Sequence, residues 1–219
     1  MMHGPRTSLA ALILLGLIVP SCALRRRLTV GVVFTTAWTL RGARMDEPDR
    51  AVVIQSIFDT LREAFTGFEV LLVDSASADH VVRVEDATSA ADPRQRVSFG
   101  GAVGVTYPLA RASSVRIDVL FDNELAVIGC AEARTCQKSR TELLDGLGRG
   151  VGATAAHELG HQVGFGFTRD SACADCLDGT SSFDRAHFFG RKHWSDDARR
   201  RMQQVLPSGE VDVHLRRPT

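Results

Sequence analysis

The sequence predicts an α+β fold of α/β/α-like layering, a β-sheet with helices packed on it. Three observations carry that prediction. Strand-like and helix-like segments interleave through the first half of the chain. A single long helical segment follows from Arg140. The composition fits one domain, with 219 residues, 44% hydrophobic, and 26 basic against 26 acidic residues.

Leu28 to Thr35 (LTVGVVFT) is β-rich and nearly all apolar, the pattern of a strand buried on both faces. Asp46-Glu47-Pro48 supplies a helix start, with acids in the first turn and proline near its head. Ile54, Ile57, Phe58, Leu61 and Phe65 then recur at helical spacing until Gly67 ends the run. Phe68 to Val73 reads as a second strand and His80 to Glu85 as a third. Ala87 to Arg96 is polar, contains Pro93, and reads as a loop. Val97 to Tyr107 is strand-like but rich in glycine and closed by Pro108, which suits an edge strand. Val115, Ile117, Val119 and Phe121 alternate with Arg116, Asp118 and Asp122, which predicts a strand with one wet face.

Ser139 and Glu142 have capping-box spacing, so a helix is expected from Arg140 to Val163, stopping at Gly164. Gly146, Gly148, Gly150 and Gly152 within it each cost about 1 kcal/mol relative to alanine. Their spacing points to close backbone packing on the sheet. The alternative is a helix that begins only near Val151, after a glycine-rich loop. Beyond Gly164 the chain reads as loop until Ser195, which heads a last helix to Val205.

Residues 1–22 differ in character from 23–219, which read as the single folded domain. Arg6 lies in a short polar start, and Leu9 to Val19 is almost purely apolar. That stretch is short for a bilayer span but suits a signal-peptide core. Val19-Pro20-Ser21-Cys22 resembles a bacterial lipobox, in which Cys22 is lipidated; the alternative is an uncleaved anchor. Export to the cell envelope is expected, lipid-anchored or periplasmic to extracellular, with membrane contact through the lipid. Four cysteines remain for an oxidising compartment, and two local disulfides are expected, Cys130–Cys136 and Cys173–Cys176. A zinc site using all four thiolates is the rival reading. No basic stripe with aromatics is present, and Arg25-Arg26-Arg27 is too short to make one, so no nucleic-acid partner is expected. His3, His80 and His214 receive no functional assignment.

The chemistry lies in His157-Glu158-Leu159-Gly160-His161-Gln162-Val163-Gly164, which reads H-E-x-x-H-x-x-G. On a helix, His157 and His161 leave one face a turn apart, the geometry for two ligands on one Zn2+. Glu158 stands beside them, placed to take a proton from a metal-activated water.

This segment, with the strand and helix order around it, resembles the metzincin clan of zinc endopeptidases over roughly Leu28 to Leu206. The resemblance implies a twisted mixed sheet with one antiparallel edge strand, an active-site helix and a C-terminal helix. It implies hydrolysis of peptide bonds in a peptide or protein substrate, aligned along Gly104-Val105-Thr106-Tyr107-Pro108, with Glu158 as general base. A monomer is expected. Two positions depart from the clan. Phe167 stands where the third ligand would be and cannot bind zinc. Asp178 stands where Cys176-Leu177-Asp178-Gly179 should carry the methionine of a Met-turn. His187 is the first choice for the third ligand and Asp170 the second; His193, next to the final helix, is read as too distant. Two other readings stay open: zinc held by two histidines and water, or a degenerate lipoprotein that binds zinc, peptide or a partner without cleavage.

Overall fold

In a computed structural model of the chain, β1 (Leu28–Phe34) lies inside a six-stranded sheet, hydrogen-bonded on both sides. The structure describes residues 26–35, 38–40, 43–86, 103–107, 110–130, 133, 136–165, 173, 175–179 and 184–215. The signal segment with Cys22, the 87–96 loop, Phe167 and Asp170 lie outside the described residues.

After β1 come two short strands, β2 (Thr39–Leu40) and β3 (Ala43–Arg44), which pair with each other, and then α1 (Glu47–Ala64). Asp46 caps α1 by accepting from the Asp49 amide at 3.0 Å, and Val53, Ile57, Phe58 and Leu61 are buried along one face. The helix gives out before Gly67, whose φ of 93° lies in the left-handed region open to glycine. The expected strand over Phe68 to Val73 is split at Glu69. β4 (Gly67–Phe68) pairs with the late strand β9 (Ser208–Gly209), and β5 (Val70–Val73) joins the main sheet. β6 (His80–Glu85) falls where its alternation predicts.

The antiparallel edge strand is present as β7 (Gly104–Tyr107); residues 97–102 of the expected span lie outside the described residues. β8 (Ala112–Arg116) precedes it in the sheet, and the C-terminal β10 (Val211–His214), which the sequence did not announce, closes the opposite side. The order is β10-β5-β1-β6-β8-β7, with every pair parallel except β7 with β8.

The strand expected through Val115 to Phe121 is corrected. β8 stops at Arg116, and Ile117–Val127 is a helix, α2. Ile117, Leu120, Phe121, Glu124 and Leu125 are its buried residues, a 3.6-residue period that overlaps the alternating one at Ile117 and Phe121. Arg116 forks onto Asp118 at 2.8 and 2.6 Å across the junction, and Asp118 places its charge in the helix's first turn.

The helix α3 (Arg140–Gly160) begins with the expected capping box at Ser139 and Glu142. It does not stop at Gly164. His161–Phe165 continue it as a π turn. Its glycines pack on other helices rather than on the sheet. A Cβ at Gly148 would stand 2.5 Å from the Ser56 Cβ and 2.7 Å from the Val53 carbonyl of α1. One at Gly152 would stand 2.7 Å from the Thr60 Cβ. Gly150 meets Phe188, on a short helix α4 (Arg185–Phe189) within the stretch read as loop. Gly148→Ala is therefore expected to lower the urea midpoint, by about 1–3 kcal/mol of stability, although alanine is the better helix former.

The last helix, α5 (Asp196–Val205), starts at Ser195 as expected. One apolar cluster joins β1, α1, α2, α3 and α4, with Phe58, Leu61, Leu120, Leu147 and Phe188 fully enclosed. No helix among the described residues is long and apolar enough to cross a membrane.

Candidate metal centre and active site

The C-terminal turn of α3 sets the histidines. His157 and His161 stack edge to face, with their Nε2 atoms 3.0 Å apart. The Nδ1 of His157 lies 2.6 Å from the carbonyl oxygen of Leu177. A carbonyl only accepts, so His157 carries its proton on Nδ1 and turns a bare Nε2 lone pair toward His161. Two nitrogens at that separation are within reach of one zinc ion, whose bonds to imidazole are about 2.0–2.1 Å. The donor pair fits the metal that the motif implies.

Leu177 belongs to the turn at Cys176-Leu177-Asp178-Gly179, which is buried at Cys176, Leu177 and Gly179. The turn is tied down from both sides. The Leu177 amide donates to the His193 carbonyl at 2.7 Å, and Asp178 accepts from the Ser195 amide at 2.9 Å and its hydroxyl at 2.7 Å. Asp178 thus anchors the head of α5. The buried apolar side chain of the turn is its neighbour, Leu177.

Glu158 is buried against the edge strand. Its carboxylate Oε2 accepts from the Thr106 hydroxyl, and a Cβ at Gly104 would run into its side chain, 2.9 Å from Cγ. Glycine at position 104 is what lets the carboxylate lie against β7.

His187 is placed elsewhere. It is 6% exposed on α4, and its Nε2 lies 3.1 Å from the Thr154 hydroxyl, one turn before His157 on α3. Burial, and next the Lys192 charge, push its pKa down to about 4, so the ring is neutral at pH 7. Among the described residues, no third His, Cys, Asp or Glu ligand atom gathers within 4.8 Å of both His157 and His161.

The cysteines form the two expected disulfides, Cys130–Cys136 and Cys173–Cys176, with Cα atoms 5.4 and 5.3 Å apart. The four-thiolate zinc site is therefore not assembled. A smaller group is present: Cys173, Cys176 and His193 could hold a metal ion, with the Cys176 Sγ 3.9 Å from the His193 Nε2. His193, read from sequence as remote, enters this group through its bridge to Cys176. The disulfide and such a metal exclude each other. Denatured, unreduced protein is expected to show no reactive thiol at these four positions; a pair of thiols released only on removing metal would assign Cys173 and Cys176 to an ion.

No protein-family model matches the chain, and no curated protein matches it. What points to a function is the geometry of the site itself. Sequence reasoning missed four of the residues around it. Thr106 lies on the expected edge strand but was given no role of its own, Ser113 sits in a strand with no motif about it, Gln162 depends on the π turn, and the Leu177 contribution is a backbone carbonyl.

Proposed function

We propose that the chain is an exported zinc-dependent endopeptidase of metzincin-like design, held at the cell envelope through Cys22. The observation that carries the reading is the convergence of the His157 and His161 Nε2 atoms, with His157 oriented by the Leu177 carbonyl. Two disulfides are compatible with an oxidising compartment.

Zinc, when bound, would supply a Lewis acid that acidifies a water and polarises the scissile carbonyl. His157 and His161 would hold it through their Nε2 atoms. Glu158 takes the water's proton on its carboxylate and passes it to the leaving amine. β7 ends the sheet, so its outer edge offers backbone donors and acceptors to an extended peptide. The third ligand falls to Asp170 rather than His187, whose Nε2 is engaged with Thr154 in the core. Asp170→Asn should weaken zinc retention, while His187→Ala should leave the metal in place; zinc analysis after dialysis reads both.

A second reading has its own support. Glu158 is bonded to Thr106 and only 7% exposed, as in a scaffold that binds zinc without cleaving. Purified protein assayed for zinc and for cleavage of a generic unfolded protein separates the two. One zinc per chain with chelator-sensitive cleavage supports the peptidase. One zinc with no cleavage leaves the binder.

A further inference from the structure

His80 begins an unbroken line of hydrogen bonds to Glu158. The His80 Nδ1 lies 3.0 Å from the Gln162 Oε1. The Gln162 Nε2 lies 2.6 Å from the Ser113 hydroxyl and 3.3 Å from the Val81 carbonyl. Ser113 and Thr106 share a hydroxyl contact of 2.9 Å, and the Thr106 hydroxyl reaches the Glu158 Oε2. Ser113 is 1% exposed and Thr106 9%, so water does not compete freely for these groups.

The two ends of the line fix every proton in it. Val81 offers a carbonyl, which accepts only, so the Gln162 amide nitrogen faces it and the amide oxygen faces His80. His80 must then donate from Nδ1. At the other end Glu158 accepts at its carboxylate and, at 3.1 Å, at its backbone carbonyl, so Thr106 gives its single hydroxyl hydrogen to Glu158 and has none for Ser113. Ser113 must donate to Thr106, and Gln162 to Ser113. All four bonds point toward Glu158, the arrangement in which each polarises the next. Burial lowers the pKa of His80, which keeps its ring neutral, with one N–H to give and one nitrogen bare. The line crosses from β6 through the π turn to β8 and β7, so it also ties the helix end bearing His161 to the sheet.

We infer that His80, Gln162, Ser113 and Thr106 are positioning residues that aim the Glu158 carboxylate through a one-directional hydrogen-bond chain. This rests on the peptidase reading for its consequence in catalysis, but the chain itself can be observed without turnover. Thr106→Val deletes the last donor at nearly constant volume, and Thr106→Ser restores it. In zinc-loaded protein, Thr106→Val is expected to lower kcat by about ten- to a hundredfold, the worth of one hydrogen bond to a charged group, with KM and zinc content unchanged. Thr106→Ser should recover most of that loss. Full kcat in Thr106→Val, or an equal loss in both variants, would overturn the assignment.

The activity-independent readout is proton NMR of the folded protein. The Thr106 and Ser113 hydroxyl protons should be visible as slowly exchanging resonances, and both should shift in Glu158→Gln and in Gln162→Leu. Rapid exchange of both, in wild-type protein with native circular dichroism, would overturn the chain. Protected hydroxyl protons in a protein that binds zinc but cleaves nothing would uphold the chain and sink the peptidase reading instead.

Discussion

Glu158→Gln is expected to retain one zinc per chain and to lose cleavage of unfolded protein by about a hundred- to ten-thousandfold, the range for a general base. The amide keeps the shape of the carboxylate and can still accept from Thr106. What it lacks is the basicity to take a proton from water. Zinc is expected to stay because the ligands proposed for it are the imidazoles of His157 and His161, whose Nε2 atoms converge without help from Glu158. His161→Ala, by contrast, should lose the metal itself. The pair of variants separates holding the ion from using it. Undiminished cleavage by Glu158→Gln would remove this residue from the mechanism.

The second large effect lies away from the site. Glu124 of α2 is fully buried, and neither carboxyl oxygen has a hydrogen-bond partner among the described residues. Burial raises its pKa to about 9, against the opposing attraction of Lys138 and with a smaller push from Asp145. In the unfolded chain the same group titrates near 4.5. Between those values the folded protein holds a proton that the unfolded chain has released. Stability therefore falls as pH rises through that window, by up to about 1.4 kcal/mol per pH unit, and levels off above it. Glu124→Met replaces an unpaired polar group with an apolar one of similar length. It should raise Tm, and raise it more at pH 8 than at pH 5. Parallel Tm–pH curves for the two proteins would show that Glu124 does not titrate this way.

Much of the fold was legible because its signals are local. The Ser139–Glu142 box, the Asp46 cap and the His80 to Glu85 alternation each depend on residues within one turn or one strand. Ile117 to Val127 was not legible, because a short apolar run fits both periods and only packing chooses between them. β10 was not legible either. Val211 to His214 becomes a strand by pairing in parallel with β5, a partner from the first half of the chain. The same division holds in the site. His157, Glu158 and His161 are one helical turn and announce themselves. His187 carries the right chemistry for a ligand, but its place is decided by the contact of α4 with Thr154, which no spacing rule contains.

The π turn at His161–Phe165 bears on how such motifs are counted. A pattern with fixed gaps is a ruler whose divisions assume 3.6 residues per turn. Widening one turn inserts an extra residue into the circuit and rotates every later position relative to that ruler. Up to His161 the divisions hold; from His161 to Phe165 the wider turn rotates each position away from them. Substitutions within 161–165 are therefore better scored by direction from the His157–His161 pair than by distance along the sequence.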